Sequence, residues 1–101
     1  MTPLACNLTA IHAADRPRYG ELVKRLRAAI ESEDELSDGY SFALNTRVIT
    51  LPEVAEWIGM ERLCCRFLRF QVDVEGAASV LTLRGPDGVK AILREEFLAK
   101  R

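Results

Sequence analysis

The densest chemistry in this 101-residue chain lies in the stretch E-R-L-C-C-R-F, which places two adjacent thiols just after Glu61. Two or three thiols with a carboxylate suit a soft metal or metalloid ion such as Hg(II), As(III), Cu(I) or Zn(II). A bound cation of this kind would displace the thiol proton outright. We therefore predict a metal site whose ligands are Cys64, Cys65, Glu61 and Cys6.

Glu61 takes an unusual position on a predicted helix. Val54, Ile58, Glu61 and Cys65 are separated by four, three and four residues, so they share one helical face. A carboxylate on such an apolar face must be paired, protonated or bound to something. The simplest expectation is a partly exposed helix end at which Glu61 pairs with an arginine. Three arginines are near enough in sequence: Arg62, Arg66 and Arg69.

The three cysteines meet only if the helix end and the N-terminal segment approach each other. In a regular helix the side chains of Cys64 and Cys65 diverge by about 100°, but at a helix end the geometry relaxes. A first strand from Leu4 to Ile11 would turn Cys6 inward as a third thiol. The CxxC spacing typical of structural zinc sites is missing.

Two other interpretations of the cysteines remain open. Free cysteines are among the most buried residue types, so they could simply pack in a structural or partner-binding module. They could also serve a thiol redox or transfer protein, but a nearby carboxylate and a helix C-terminus both disfavour a thiolate. We therefore expect a non-enzymatic domain, with no catalytic residue and no cofactor other than the metal ion.

Composition predicts one folded domain over residues 1–101, with 49% hydrophobic and 29% charged residues. The net charge is -1 and the basic residues are scattered, which argues against nucleic-acid or anionic-membrane partners.

No apolar run could span a bilayer and the N-terminus lacks a basic leader, so we expect a cytoplasmic protein. Three cysteines there should be free thiols, ligands or redox groups. An unpaired sheet face or edge could mediate a homo-oligomer.

Periodicity predicts an α+β fold, a two-layer sandwich of about four mostly antiparallel strands and three helices, in the order β-α-β-α-β-β-α. The helices run from about Pro17 to Ser32, from Thr50 to Cys65 and onward from R-G-P-D-G. A capping box at T-L-P-E starts the second helix. The acidic stretch E-S-E-D-E-L-S-D-G is predicted to be a connector. The strands are predicted at Leu4–Ile11, Gly39–Leu44, Leu68–Val74 and Ser79–Arg84.

The segment E-R-L-C-C-R-F-L-R-F resembles the E-x-x-C-C-P-F-x-x-F motif of small, uncharacterised bacterial proteins of about this length. The later stretch L-T-L-R-G-P-D-G-V-K-A-I-L resembles their C-terminal half. Some of those proteins accompany heavy-metal resistance functions, and the resemblance implies a thiol site at Cys64 and Cys65. Arg66 stands where the motif has proline. Proline would end the helix sharply, whereas arginine permits another helical residue.

Overall fold

Three helices and a four-stranded antiparallel sheet form the part of the chain that the computed structural model describes, residues 4–99. This confirms the predicted α+β class, but the order is α-β-β-α-β-β-α. The helices are α1 (Arg16–Ala29), α2 (Leu51–Cys64) and α3 (Val89–Leu93), the last continuing as a π-helical turn over Arg94–Leu98. The strands are β1 (Ile30–Leu36), β2 (Gly39–Leu44), β3 (Arg69–Glu75) and β4 (Ala78–Arg84).

The sheet has the spatial order β1-β2-β4-β3, and every neighbouring pair is antiparallel. Side chains alternate between its faces, and one face supplies the core. On β2 and β4, for example, Phe42 lies opposite Leu81 and Tyr40 opposite Leu83, and all four are buried. The three helices complete this core with apolar residues that include Leu22, Leu26, Val54, Trp57, Val89, Leu93 and Phe97.

The predicted first strand is wrong. Residues 4–7 have no regular structure, and short 3-10 turns follow at Leu8–Ala10 and Ala13–Asp15. The Asn7 side chain accepts a hydrogen bond from the Thr9 amide, which favours a turn over an extended chain. The alternating pattern is therefore misleading here, because Leu8 and Ala10 are exposed and Ile11 alone in this stretch is fully buried.

The predicted acidic connector is strand β1, and α1 consequently ends at Ala29 rather than near Ser32. Acidic residues are poor strand formers, and β1 lacks polar–apolar alternation because nearly all of it is exposed. It forms a hairpin with β2 through a two-residue turn at Ser37 and Asp38. Charged side chains on such an edge strand discourage pairing with other chains. The opposite edge, β3, exposes Val72 and Val74.

Helix α2 begins with the predicted capping box. The Glu53 amide donates to Thr50 Oγ1 at 3.3 Å, and the Thr50 amide donates to Glu53 Oε1 at 3.0 Å. Further along, the Trp57 ring is fully buried and makes edge contacts with Phe70 and Phe97, at centroid distances of 5.7 and 5.9 Å. The start and middle of α2 are thus fixed before the helix reaches its cysteines.

No helix within residues 4–99 is long and apolar enough to cross a membrane.

We expect Thr50→Ala to lower the free energy of unfolding by about 1 kcal/mol, because the Glu53 amide loses its acceptor. Thr50→Ser keeps the hydroxyl and should remain within a few tenths of a kcal/mol of the parent protein. Urea denaturation of all three proteins at one fixed redox state measures the effect. Equal losses for alanine and serine would contradict a capping role.

Candidate metal centre

The four predicted ligand residues come together at the C-terminal end of α2. Cys6 belongs to the N-terminal segment, Glu61 and Cys64 to the last turn of α2, and Cys65 follows the helix directly. One ligand atom from each residue lies within 4.8 Å of the other three. The sequence-based grouping of Cys6 with the other three residues is therefore reproduced in space, although Cys6 arrives on an irregular segment rather than a strand.

Two of the three sulfurs are joined in a disulfide, Cys6–Cys65, where the sequence predicted free thiols, metal ligands or redox groups. The two residues are 59 positions apart and their Cα atoms are 4.6 Å apart. Cys64 is the free cysteine in the described part of the chain, and its Sγ lies 3.9 Å from that of Cys65. The cysteine count could not reveal this bond, because three cysteines are equally compatible with three free thiols and with one disulfide plus one free thiol.

The N-terminal segment is held against α2 by more than the disulfide. The Asn7 amide donates to the Cys64 carbonyl at 2.9 Å, and Arg16 Nε donates to the Ile11 carbonyl at 3.1 Å. Ile11 is fully buried and forms a small apolar cluster with Cys64 and Cys65. Removing the covalent bond would leave these contacts in place.

Helix α2 ends at Cys64, between the two adjacent cysteines. The Cys65 amide still donates to the Glu61 carbonyl at 2.7 Å, but the Cys65 backbone angles, φ -117° and ψ 79°, are not helical. Arg66 therefore does not extend the helix, contrary to what its replacement of proline suggested. Because the backbone leaves the helix at Cys65, the Cys65 side chain is not fixed in the direction that a regular helix would give it relative to Cys64.

Glu61 is only 2% exposed, so the expected exposed helix end is wrong. Within residues 4–99 it forms no ion pair with an arginine, and the Tyr19 hydroxyl donates to its Oε2 at 2.9 Å. Burial raises the pKa of Glu61 to about 7, and the nearby negative charge of Glu96 adds to the rise. Hydrogen bonding from Tyr19 and Trp57 opposes this rise in pKa.

The indole nitrogen of Trp57 is a buried donor beside Glu61. It has no hydrogen-bond partner of ordinary geometry among the described residues, although its N–H lowers the pKa of Glu61. A buried polar group without a partner is uncommon and costs free energy. Here the indole is an unused donor close to the Glu61 carboxyl group, whose negative charge has no cation beside it in the described part of the chain.

Cys64 is 5% exposed and borders the surface. Burial raises the pKa of its thiol to about 11, and the negative charges of Glu61 and Glu96 act in the same direction. A surface depression of about 380 Å³ opens beside it. The depression is lined by Ala5, Asn7, Ala10, Leu63, Cys64, Arg66 and Phe67.

Tyr19 and Glu96 are the residues of this site that sequence reasoning missed. Tyr19 lies on α1 and packs against the core, and its hydroxyl also reaches Glu61. A buried tyrosine usually finds a hydrogen-bond partner, so the phenol was the available signal. Glu96 lies on the π-helical turn after α3 and carries no signal of its own.

No family model, curated protein or solved structure that was compared with this chain matches it. The resemblance to bacterial proteins with the E-x-x-C-C-P-F-x-x-F motif therefore stays a prediction.

The raised pKa of Glu61 should make stability depend on pH. Between about pH 4.5 and 7 the folded protein keeps a proton that the unfolded chain has lost, so the free energy of unfolding falls as pH rises. The loss totals about 3 kcal/mol, and Glu61→Gln should abolish it. Denaturation of metal-free protein across this range tests the slope. The exposed-residue variant Glu75→Gln should keep the parent slope, and equal slopes for the two variants would contradict the assignment.

The raised pKa of Cys64 should make its thiol unreactive at neutral pH. With the Cys6–Cys65 bond intact, the rate of iodoacetamide labelling should still be rising at pH 10, towards a midpoint near 11. Mass spectrometry of the labelled protein gives the rate at each pH. A plateau reached below pH 8.5 would overturn this expectation and favour a thiol-transfer enzyme.

Proposed function

We propose that this domain binds one soft metal or metalloid ion through Cys6, Cys64, Cys65 and Glu61 when the Cys6–Cys65 bond is reduced. The observation that carries the proposal is the convergence of three sulfurs and one carboxylate oxygen within 4.8 Å. These groups come from two parts of the chain that are more than 50 residues apart. Thiolate ligands favour soft ions, with As(III), Hg(II), Cu(I) and Zn(II) as candidates.

The sulfur geometry fits direct chelation. With metal–sulfur bonds of about 2.3 Å, two thiolates of a tetrahedral site lie about 3.8 Å apart. The Sγ atoms of Cys64 and Cys65 are already 3.9 Å apart. After reduction the Cys6 sulfur needs to move from bonding distance to a similar separation, and the Cα–Cα distance of 4.6 Å leaves room for that.

The surroundings of Glu61 support a ligand role for its carboxylate. Ligand carboxylates are usually oriented by a hydrogen bond from an outer residue, and Tyr19 supplies one. A cation beside the buried carboxylate would favour its charged form. The unpartnered Trp57 N–H is then a second donor for that charge. Together these contacts would compensate a negative charge that the metal-free protein compensates poorly.

The proposal includes a cytoplasmic location, where thiols are kept reduced. The depression beside Cys64 offers an ion a path from the surface to the Cys64 thiol. Arg66 borders that depression, so an anionic or neutral metal species would meet less repulsion than a bare cation.

Native mass spectrometry of the anaerobically reduced chain should show one bound ion per chain with As(III) or Hg(II). The double variant Cys64→Ser, Cys65→Ser should bind none, because two of the three sulfurs are gone. Glu61→Gln should bind at least about 10-fold more weakly, whereas Glu75→Gln should bind like the parent. Cu(I) and Zn(II) are compared in the same series to rank the ions.

Unchanged uptake in the double serine variant would overturn the proposal. Failure of the reduced parent chain to bind any of the four ions would also overturn it. That second result would favour a structural module in which the disulfide joins the N-terminal segment to α2 and Cys64 is only packed.

A further inference from the structure

We infer that the Cys6–Cys65 disulfide is a reversible lock on this metal centre, opened by a small dithiol that attacks the sulfur of Cys6. The inference rests on the proposed function and adds its regulation. Formation of the bond consumes two of the three sulfur ligands. The oxidised chain should therefore be unable to hold the ion, and the reduced chain should be able to hold it.

The two ends of the disulfide differ in exposure. Cys6 is an exposed residue on an irregular segment, whereas Cys65 is 1% exposed behind it. Thiol–disulfide exchange requires the attacking sulfur to reach the attacked one, so an external thiol meets Cys6 first. The depression beside Cys64 is lined in part by Ala5 and Asn7, the chain neighbours of Cys6. Arg66 is also among its lining residues, and its positive charge favours the approach of an anionic thiolate.

The exchange balances with a dithiol as the reductant. Its first thiolate bonds to Cys6 Sγ, and the electron pair of the broken Cys6–Cys65 bond goes to Cys65 as a thiolate. The second thiolate of the dithiol then attacks the dithiol's first sulfur, the one bonded to Cys6, and Cys6 leaves as a thiolate. The dithiol leaves as a cyclic disulfide, oxidised by two electrons, while the protein disulfide is reduced to two thiols. Oxidation by an added disulfide runs the same steps backwards.

The site should survive the opening of the bond. The hydrogen bond from the Asn7 amide to Cys64 and the burial of Ile11 hold the N-terminal segment against α2 independently of the disulfide. Cys6 therefore stays near Cys64 and Cys65 when it is released. A disulfide that served only to attach the segment would have no need of a third thiol 3.9 Å away.

The first experiment maps the exchange in the folded, oxidised, metal-free chain. A monothiol such as glutathione is added without denaturant, the mixture is quenched with acid, and the mixed disulfide is located by peptide mass spectrometry. We expect glutathione on Cys6 and not on Cys65, with circular dichroism unchanged. Exchange that occurs only in denaturant, or glutathione found mainly on Cys65, would overturn the inference.

The second experiment compares As(III) binding by the oxidised and the reduced parent chain. We expect the oxidised chain to bind more than about 100-fold more weakly, since it loses direct ligands rather than outer partners. Cys6→Ser lacks one sulfur ligand, so it should bind As(III) more weakly than the reduced parent chain. Because this variant cannot form the Cys6–Cys65 bond, the same oxidising treatment should not lower its affinity further. Equal binding by both forms of the parent would overturn the lock. Absence of binding by the reduced form would overturn the proposed function, and the glutathione map then still shows whether the bond is exchangeable.

Discussion

The packing of Trp57 determines where the α2 groups of the candidate centre lie. Its ring is buried between Phe70 and Phe97, which attaches α2 to both the sheet and the C-terminal helix. One turn later the same helix presents Glu61, and it ends at Cys64 beside the N-terminal segment. A large aromatic side chain at this point contributes more burial than any other single residue of the helix. The positions of Glu61 and Cys64 therefore depend on the core, and Cys6 reaches them on the irregular N-terminal segment.

The candidate centre places a buried carboxyl group beside three sulfurs, and negative charge on these groups costs free energy. The carboxyl keeps its proton to about pH 7 and the Cys64 thiol to about pH 11, because burial disfavours both anions. A disulfide relieves this by removing two titratable thiols. The proposed soft cation would relieve it differently, by neutralising the anions. Under that proposal the same few residues would support two chemically distinct forms of one site.

Periodicity and local motifs anticipated much of this protein. The capping box at Thr50, the strands β2 to β4 and the helices lie close to their predicted positions. Prediction failed where tertiary pairing overrode local preference. β1 is acidic and exposed, so nothing in its own residues indicates a strand, and hydrogen bonding to β2 alone creates it. The convergence of Cys6 with Glu61 was inferred from residue type, but its irregular backbone and its bond to Cys65 depend on contacts 59 positions away.

The two edges of the sheet are unlike, and this limits how copies of the chain could join by continuing one sheet. The β1 edge carries exposed carboxylates, including Glu31 and Asp34, so two such edges repel each other. The β3 edge exposes Val72 and Val74 and carries charges of both signs, on Arg69, Asp73 and Glu75, so it is not uniformly acidic. Two chains meeting along β3 would leave only acidic strands at both outer margins. Growth by strand addition would then stop at a closed two-fold pair and could not propagate into a fibre.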